Sequence, residues 1–292
     1  MTGFQIRLAG QRGEKVAAEH GFDRLPVDPF AIAEAERLDV EAKLPEVEGV
    51  SGGIILITDP PVIFYSTSIR SQGFQRFTVA HELGHALLDG HWEALEKEGP
   101  MHASRAGFAQ GHNPVEIEAD HFAAGLLMPR RLIRQVLRAA PIGLEGVREI
   151  EDRAQCSLTA AAIRMAECAD HAVAVVVSQG DVVRYAFLSE PFKRLRPRRW
   201  LRKGELLPDG LTRSFNAHPA NVEDRASACA PTTLDAWFGG AELPLDEEVV
   251  GLGAYGRTLT ILSNEAVEAD PDDEDEERDL EESWTPRFAY GR

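Results

Sequence analysis

The sequence predicts an α+β fold, on three observations. Short apolar runs bounded by Gly and Pro, Ile54-Ile55-Leu56-Ile57 and Val62-Ile63-Phe64-Tyr65, read as strands. Apolar residues at helical spacing follow near 78–87 and 116–128 and continue through 130–168. From His171 onward β-branched strand patterns take over.

In chain order, Pro26-Val27-Asp28-Pro29-Phe30 introduces a helix from Ala31 to Leu38, with Asp28 near its start. Val40 to Leu44 is a brief strand, and Ser51-Gly52-Gly53 leads into the strand 54–57, which Asp59-Pro60-Pro61 ends. With 62–65 these strands form a small sheet beside the helix that carries His81. Gly90 to Pro114 reads as a long loop, a length that more often serves as a lid or substrate wall than idles. Its His91, His102 and His112 receive no role, since isolated loop histidines are usually solvated. After Pro129, helices run over Arg130–Ala139, Leu144–Ala154 and Ala160–Cys168, with Ser157 as an N-cap in the break. The last two have a helix-turn-helix outline. DNA binding there is not favoured: Arg164 is the only base on the candidate recognition helix, and Glu167 and Asp170 are acidic. A packing subdomain or a substrate-holding site is the competing reading.

Ala172–Val177, a turn at Gln179-Gly180-Asp181, and Val182–Phe187 make a hairpin. Glu247–Leu252 and Arg257–Leu262 are closing strands, so 171–264 reads as a small α/β, sensor-like domain. No phosphate-loop motif or second metal cluster marks a ligand for it.

The chain carries 31 Lys and Arg against 48 Asp and Glu, a net charge of −17 that argues against broad affinity for nucleic acid. Much of the excess lies in Asp270–Glu282, a like-charge block expected to be disordered within a tail at 265–292. Trp284–Phe288 restore aromatic character after it, as a short anchor. The opposite sign gathers in Lys193–Lys203, which suits nucleic acid or another acidic ligand, or is screened by the acidic tail. The longest apolar run, Ala172–Val177, is too short to span a bilayer, and no signal peptide opens the chain. Cys156, Cys168 and Cys229 are odd in number and lack metal-binding spacing, which fits small buried hydrophobes in a reducing compartment.

The most specific signal is Thr78-Val79-Ala80-His81-Glu82-Leu83-Gly84-His85-Ala86-Leu87. His81 and His85 project from one helix face, one turn apart, and two imidazoles so placed can reach one Zn²⁺. Glu82 is placed to take a proton from water at that ion. A catalytic zinc takes three protein ligands, and the helix 116–128, entered after Pro114 and ended by Pro129, supplies the third. Glu116 is read as that ligand and Asp120, four residues on, as the carboxylate orienting a ligating histidine through its free ring nitrogen. Glu118, about 200° round the helix at 3.6 residues per turn, competes for the ligand role.

Arg76–His85, followed by Glu116-x-x-Ala119-Asp120-x-Phe122-Ala123-Ala124-x-Leu126-Leu127-Met128-Pro129, closely resembles the ImmA/IrrE family of metallopeptidases. These paired motifs cover 76–129, with weaker likeness from about residue 25 to 170. The resemblance implies a zincin-like peptidase domain, taken as 1–135, and a GAF-like character for 171–264; the helical pattern between them makes 136–170 a helix-turn-helix-like subdomain. It implies Glu in the third-ligand position and a cytoplasmic regulatory protease that cuts a helix-turn-helix (XRE-type) repressor in a stress or mobile-element response. Members often carry an N-terminal DNA-binding domain; no room for one precedes the peptidase here, so a separately encoded repressor is expected. In zincin-like folds an edge strand binds the substrate backbone by strand addition.

The expected mechanism is hydrolysis assisted by Zn²⁺ held by His81, His85 and Glu116, with Glu82 as the proton carrier and Mn²⁺ as the alternative metal in the cell. The oxyanion stabiliser is unassigned, Tyr65 and the loop histidines being candidates. Two other classes stand against this: a DNA-binding regulator with a non-catalytic peptidase-like domain, and a ligand-sensing adaptor with structural zinc.

Overall fold

A computed structural model of the chain describes residues 3–43, 50–68, 70–104 and 113–268. His112, the acidic run 270–282 and the aromatic segment 284–288 lie outside them. The chain is mixed α and β and forms two compact units. Among the described residues, one runs to Leu132 and includes Asp152–Ser157; the other comprises Ile133–Glu151 and 158–268.

The first unit opens on a helix absent from the sequence reading, α1 (Gly3–Glu19), which buries Ile6, Ala9, Val16 and Ala17. Next comes α2 (Pro29–Ala35), whose N-cap Asp28 accepts from the Phe30 amide at 3.0 Å. Then follow β1 (Asp39–Lys43), β2 (Gly52–Ile55), β3 (Val62–Ser66) and the long α3 (Gln72–Leu87), capped by Ser71. The described part of the stretch read as a loop after α3 is instead structured: α4 (His91–Glu98) leads into β4 (Met101–Ser104). The sheet order is β1-β3-β2-β4, with β1 parallel to β3 and the other pairs antiparallel. β4 escapes a local reading because it is short and owes its place to pairing with Gly52–Ile55, about fifty residues earlier.

The last helix of this unit's core, α5 (Pro114–Leu127), begins with Pro114 at its first position and Asn113 as N-cap. It packs against both α1 and α3 at short range. A Cβ on Gly125 would lie 2.1 Å from the backbone oxygen of Gly10, and one on Gly84 would lie 3.1 Å from Cα of Ala119. Glycine at these crossings lets the backbones approach, and α3 thereby brings its buried face, Thr78 to His85, alongside α5.

Beyond α6 (Arg130–Leu137) lie α7 (Leu144–Ala154) and α8 (Leu158–Cys168). The second unit centres on an antiparallel sheet of β5 (His171–Gln179), β6 (Val182–Leu188), β7 (Ser227–Thr233), β8 (Pro244–Gly251) and β9 (Thr258–Glu268), ordered β6-β5-β9-β8-β7. β5 is buried on both faces, as its continuous run of β-branched residues requires, and turns into β6 at Gly180 (φ 57°). Short helices α9 (Glu190–Arg194), α10 (Leu211–Asn216), α11 (Pro219–Glu223) and α12 (Leu234–Phe238) complete it. Trp237, Phe238, Phe192 and Leu234 fill its core against Ala174, Val176 and Leu262. β9 reaches Glu268, into the segment read from the sequence as tail. The cysteines are free, but only Cys168 is buried; Cys229, on the edge strand β7, is exposed, contrary to the reading of all three as buried.

Candidate metal centre

Helix α3 presents His81, Glu82 and His85 at 1, 0 and 0 % exposure. Nε2 of His81 and Nε2 of His85 stand 3.0 Å apart. From α5, Glu116 places Oε2 at 3.4 Å from His81 Nε2 and Oε1 at 3.3 Å from His85 Nε2. These three groups converge as a metal-holding set would. Tetrahedral ligands at roughly 2.0–2.1 Å from an ion stand about 3.3 Å from one another, close to the separations seen.

The donor chemistry fits a cation as well as the spacing does. Asp120 Oδ1 lies 2.9 Å from Nδ1 of His81, so that nitrogen carries a proton and Nε2 is the atom turned toward the centre, able to coordinate a cation. Two imidazole nitrogens facing each other at 3.0 Å beside a carboxylate need positive charge between them. Burial opposes charge on His81, but Asp120 and Glu116 outweigh it and raise its pKa to about 10. Burial, helped by neighbouring His81, lowers His85 to about 4, so His85 is neutral. Burial also resists ionisation of Glu116, yet the surrounding imidazoles hold it far below the ordinary carboxylate range.

Glu82 is sealed in beside them, and neither carboxylate oxygen has a hydrogen-bond partner among the described residues. Burial raises its pKa, which suits a group that must accept and return a proton. Ser104 of β4 and the His81 and His102 imidazoles oppose that shift without cancelling it.

Two histidines read as solvated loop residues belong to this centre. His91, the first residue of α4, is 3 % exposed, with Nδ1 3.3 Å from Nδ1 of His85 and Nε2 3.1 Å from Glu118 Oε2. His102, on β4, forms a second compact group with Glu82 and His85. Its Nε2 lies 3.1 Å from Glu116 Oε1 without hydrogen-bond geometry, and both atoms are buried and unsatisfied. Glu98 holds the other ring nitrogen at 3.3 Å. The available signal was proximity: His91 comes six residues after His85, too soon for the chain to leave the end of α3. Glu116 meets both metal-helix histidines, whereas Glu118 is engaged by His91. Tyr65 and Phe30 form a T-shaped ring pair with centroids 5.6 Å apart.

Arg164 of α8 is 7 % exposed and paired with Glu167 at 2.7 Å, so α8 offers DNA no exposed cation. In the basic segment, Arg194, Arg196, Arg198, Arg199 and Arg202 are exposed around a 44 % exposed Trp200. Among the described residues no helix is long and apolar enough to cross a membrane.

Comparison with known proteins agrees with the motifs. Residues 35–166 match the model of the peptidase family described as the IrrE N-terminal-like domain. A segment of 107 residues is 36 % identical to the radiation response metalloprotease IrrE of Deinococcus deserti, covering 36 % of each chain. The match thus spans about a third of that relative's length. A Mycobacterium tuberculosis transcriptional regulator is similar in fold, with a TM-score of 0.55 at 13 % identity over 88 % of this chain and 76 % of that one. Residues 35–166, which contain His81, Glu82, His85 and Glu116, are thus a domain of the IrrE N-terminal-like peptidase type.

Proposed function

We propose that the protein is a zinc-dependent, site-specific endopeptidase that regulates transcription by cutting a partner protein. The observation that carries this is the convergence of His81, His85 and Glu116 on one point, with the buried carboxylate of Glu82 beside it. His81, His85 and Glu116 would hold the ion, Zn²⁺ by donor type with Mn²⁺ as the alternative in the cell. When bound, the metal polarises the scissile carbonyl and acidifies water at neutral pH. Glu82 takes the proton of the attacking water on a carboxylate oxygen and delivers it to the leaving nitrogen. Asp120 keeps Nδ1 of His81 protonated, which leaves Nε2 free to bind the ion. His102 is our candidate to polarise the carbonyl oxygen, because its ring is grouped with Glu82 and His85 and its buried Nε2 lies 3.1 Å from Glu116.

Substrate backbone would add to the sheet at β4, which among the described residues pairs only with β2 and carries His102 on that edge. Strand addition accepts many sequences, so selection would fall to docking elsewhere on the partner. A separately encoded helix-turn-helix (XRE-type) repressor is the expected substrate, in a cytoplasmic stress or mobile-element response.

The test is incubation of the Zn²⁺- or Mn²⁺-loaded protein with helix-turn-helix repressors encoded in the same genome, beside Glu82→Gln. A discrete cut made by the wild type and not by Glu82→Gln is expected. Equal cutting by that variant would refute the role of Glu82, and no cutting with one equivalent of metal bound would favour a regulator with a non-catalytic peptidase-like domain.

A further inference from the structure

We propose that His91 and Glu118 form a proton-ordering relay that sets His85 as a metal ligand, doing through two residues what Asp120 does for His81 directly. The inference rests on the metal-centre reading and extends it to residues that would not touch the ion. Three contacts define the relay. Glu118 Oε2 lies 3.1 Å from His91 Nε2, and His91 Nδ1 lies 3.3 Å from His85 Nδ1. His85 Nε2 then faces His81 Nε2 and Glu116.

The proton positions follow in sequence. A carboxylate only accepts, so Nε2 of His91 carries a proton and donates it to Glu118. With that one N–H on Nε2, Nδ1 of His91 offers a lone pair. It therefore accepts, and Nδ1 of His85 must be the N–H that donates to it. His85 is left with a lone pair on Nε2, the atom turned toward His81 and Glu116. The reverse order would place a proton on Nε2 of His85 and block coordination. One order alone is compatible with binding an ion, and Glu118 selects it.

The fold makes this geometry stiff. Gly90 takes a left-handed backbone (φ 80°) between α3 and α4, which turns His91 back toward α3. His91 and His85 are 3 and 0 % exposed, with ring centroids 5.4 Å apart, so water does not compete for the contact. Glu118 is on the same helix as Glu116 and Asp120, and α5 thus contributes three carboxylates: one to the ion and one behind each histidine.

The experiment measures Zn²⁺ affinity of the full chain by chelator competition, with the melting temperature of each metal-free variant as a folding control. Removal of an orienting partner of a metal-bound histidine typically weakens binding about 10- to 100-fold. His91→Ala should fall in that range, Glu118→Ala should show a smaller part of the same loss, and the double variant should be no weaker than His91→Ala. His91→Asn should recover most of the loss, since its side-chain oxygen can accept from Nδ1 of His85. In the Zn²⁺-loaded wild type, ¹⁵N-resolved histidine spectra should show the His85 proton on Nδ1. Wild-type affinity in His91→Ala, additive losses in the double variant, or no recovery in His91→Asn would overturn the relay while leaving the metal centre standing. Failure of the wild type to bind Zn²⁺ at all would overturn the metal-centre reading itself, and the relay with it.

Discussion

Asp120 Oδ1 and His81 Nδ1 lie 2.9 Å apart across 39 residues of sequence, and that contact turns the spacing of two motifs into one site. It joins α5 to α3 at the histidine that also meets Glu116. Asp120→Ala is accordingly expected to weaken Zn²⁺ binding about 10- to 100-fold without unfolding the protein. Isothermal titration of the two forms measures this, and an unchanged affinity would remove Asp120 from the site.

Glu116 and Glu118 separate cleanly in their consequences. Glu116→Ala removes the carboxylate nearest both inward-facing imidazole nitrogens and should abolish stoichiometric Zn²⁺ binding at micromolar protein. Glu118→Ala should leave binding at one equivalent with reduced affinity. The reverse ranking in an equilibrium dialysis experiment would make Glu118 the third ligand.

The paired motifs were legible because their chemistry is local to two helices: His81 and His85 one turn apart, and Glu116 and Asp120 likewise. The second also carries its own start and stop signals, Pro114 at its first turn and Pro129 beyond its end. His91 and His102 were not legible, since neither sits in a periodic pattern. Their burial depends on the Gly90 turn and on β4 pairing with β2 far back in the chain. Helix α1 escaped for a different reason: it packs with small residues, Ala9, Gly10, Gly13 and Ala17, that carry little hydrophobic signal. β7 was hidden because Ser227–Thr233 is an edge strand with a central Pro231 and few large apolar side chains.

The α1–α5 crossing predicts its own sensitivity. Gly125→Ala sets a methyl group 2.1 Å from a backbone oxygen of Gly10, and backbone cannot rotate aside as a side chain can. We expect a loss of about 1–3 kcal/mol, typical of overpacking, read as a lower midpoint in urea denaturation. Unchanged stability would show that α1 does not approach α5 as described.

In the second unit, Glu248 accepts from the Leu144 amide at 2.8 Å. Burial raises its pKa above that of an exposed Glu, with the like charges of Asp246 and Glu145 adding to it despite the Leu144 amide and Arg148. A carboxyl with a raised folded-state pKa binds its proton more tightly when folded, so stability falls as pH rises from about 4.5 through that pKa. Glu248→Gln keeps an acceptor for Leu144 and removes the charge. It should melt higher than wild type at pH 7, with the advantage vanishing below about pH 4, where both forms are neutral. A variant that melts lower at pH 7 would refute this assignment.

The central claim is that His81, His85 and Glu116 hold one ion beside Glu82. Anomalous diffraction at the zinc edge from crystals grown with Zn²⁺ tests it most directly. The account predicts a strong anomalous peak roughly 2.0–2.2 Å from Nε2 of His81, Nε2 of His85 and a Glu116 oxygen. A peak coordinated instead by His91 or His102, or none on α3 while zinc is bound elsewhere, would contradict it.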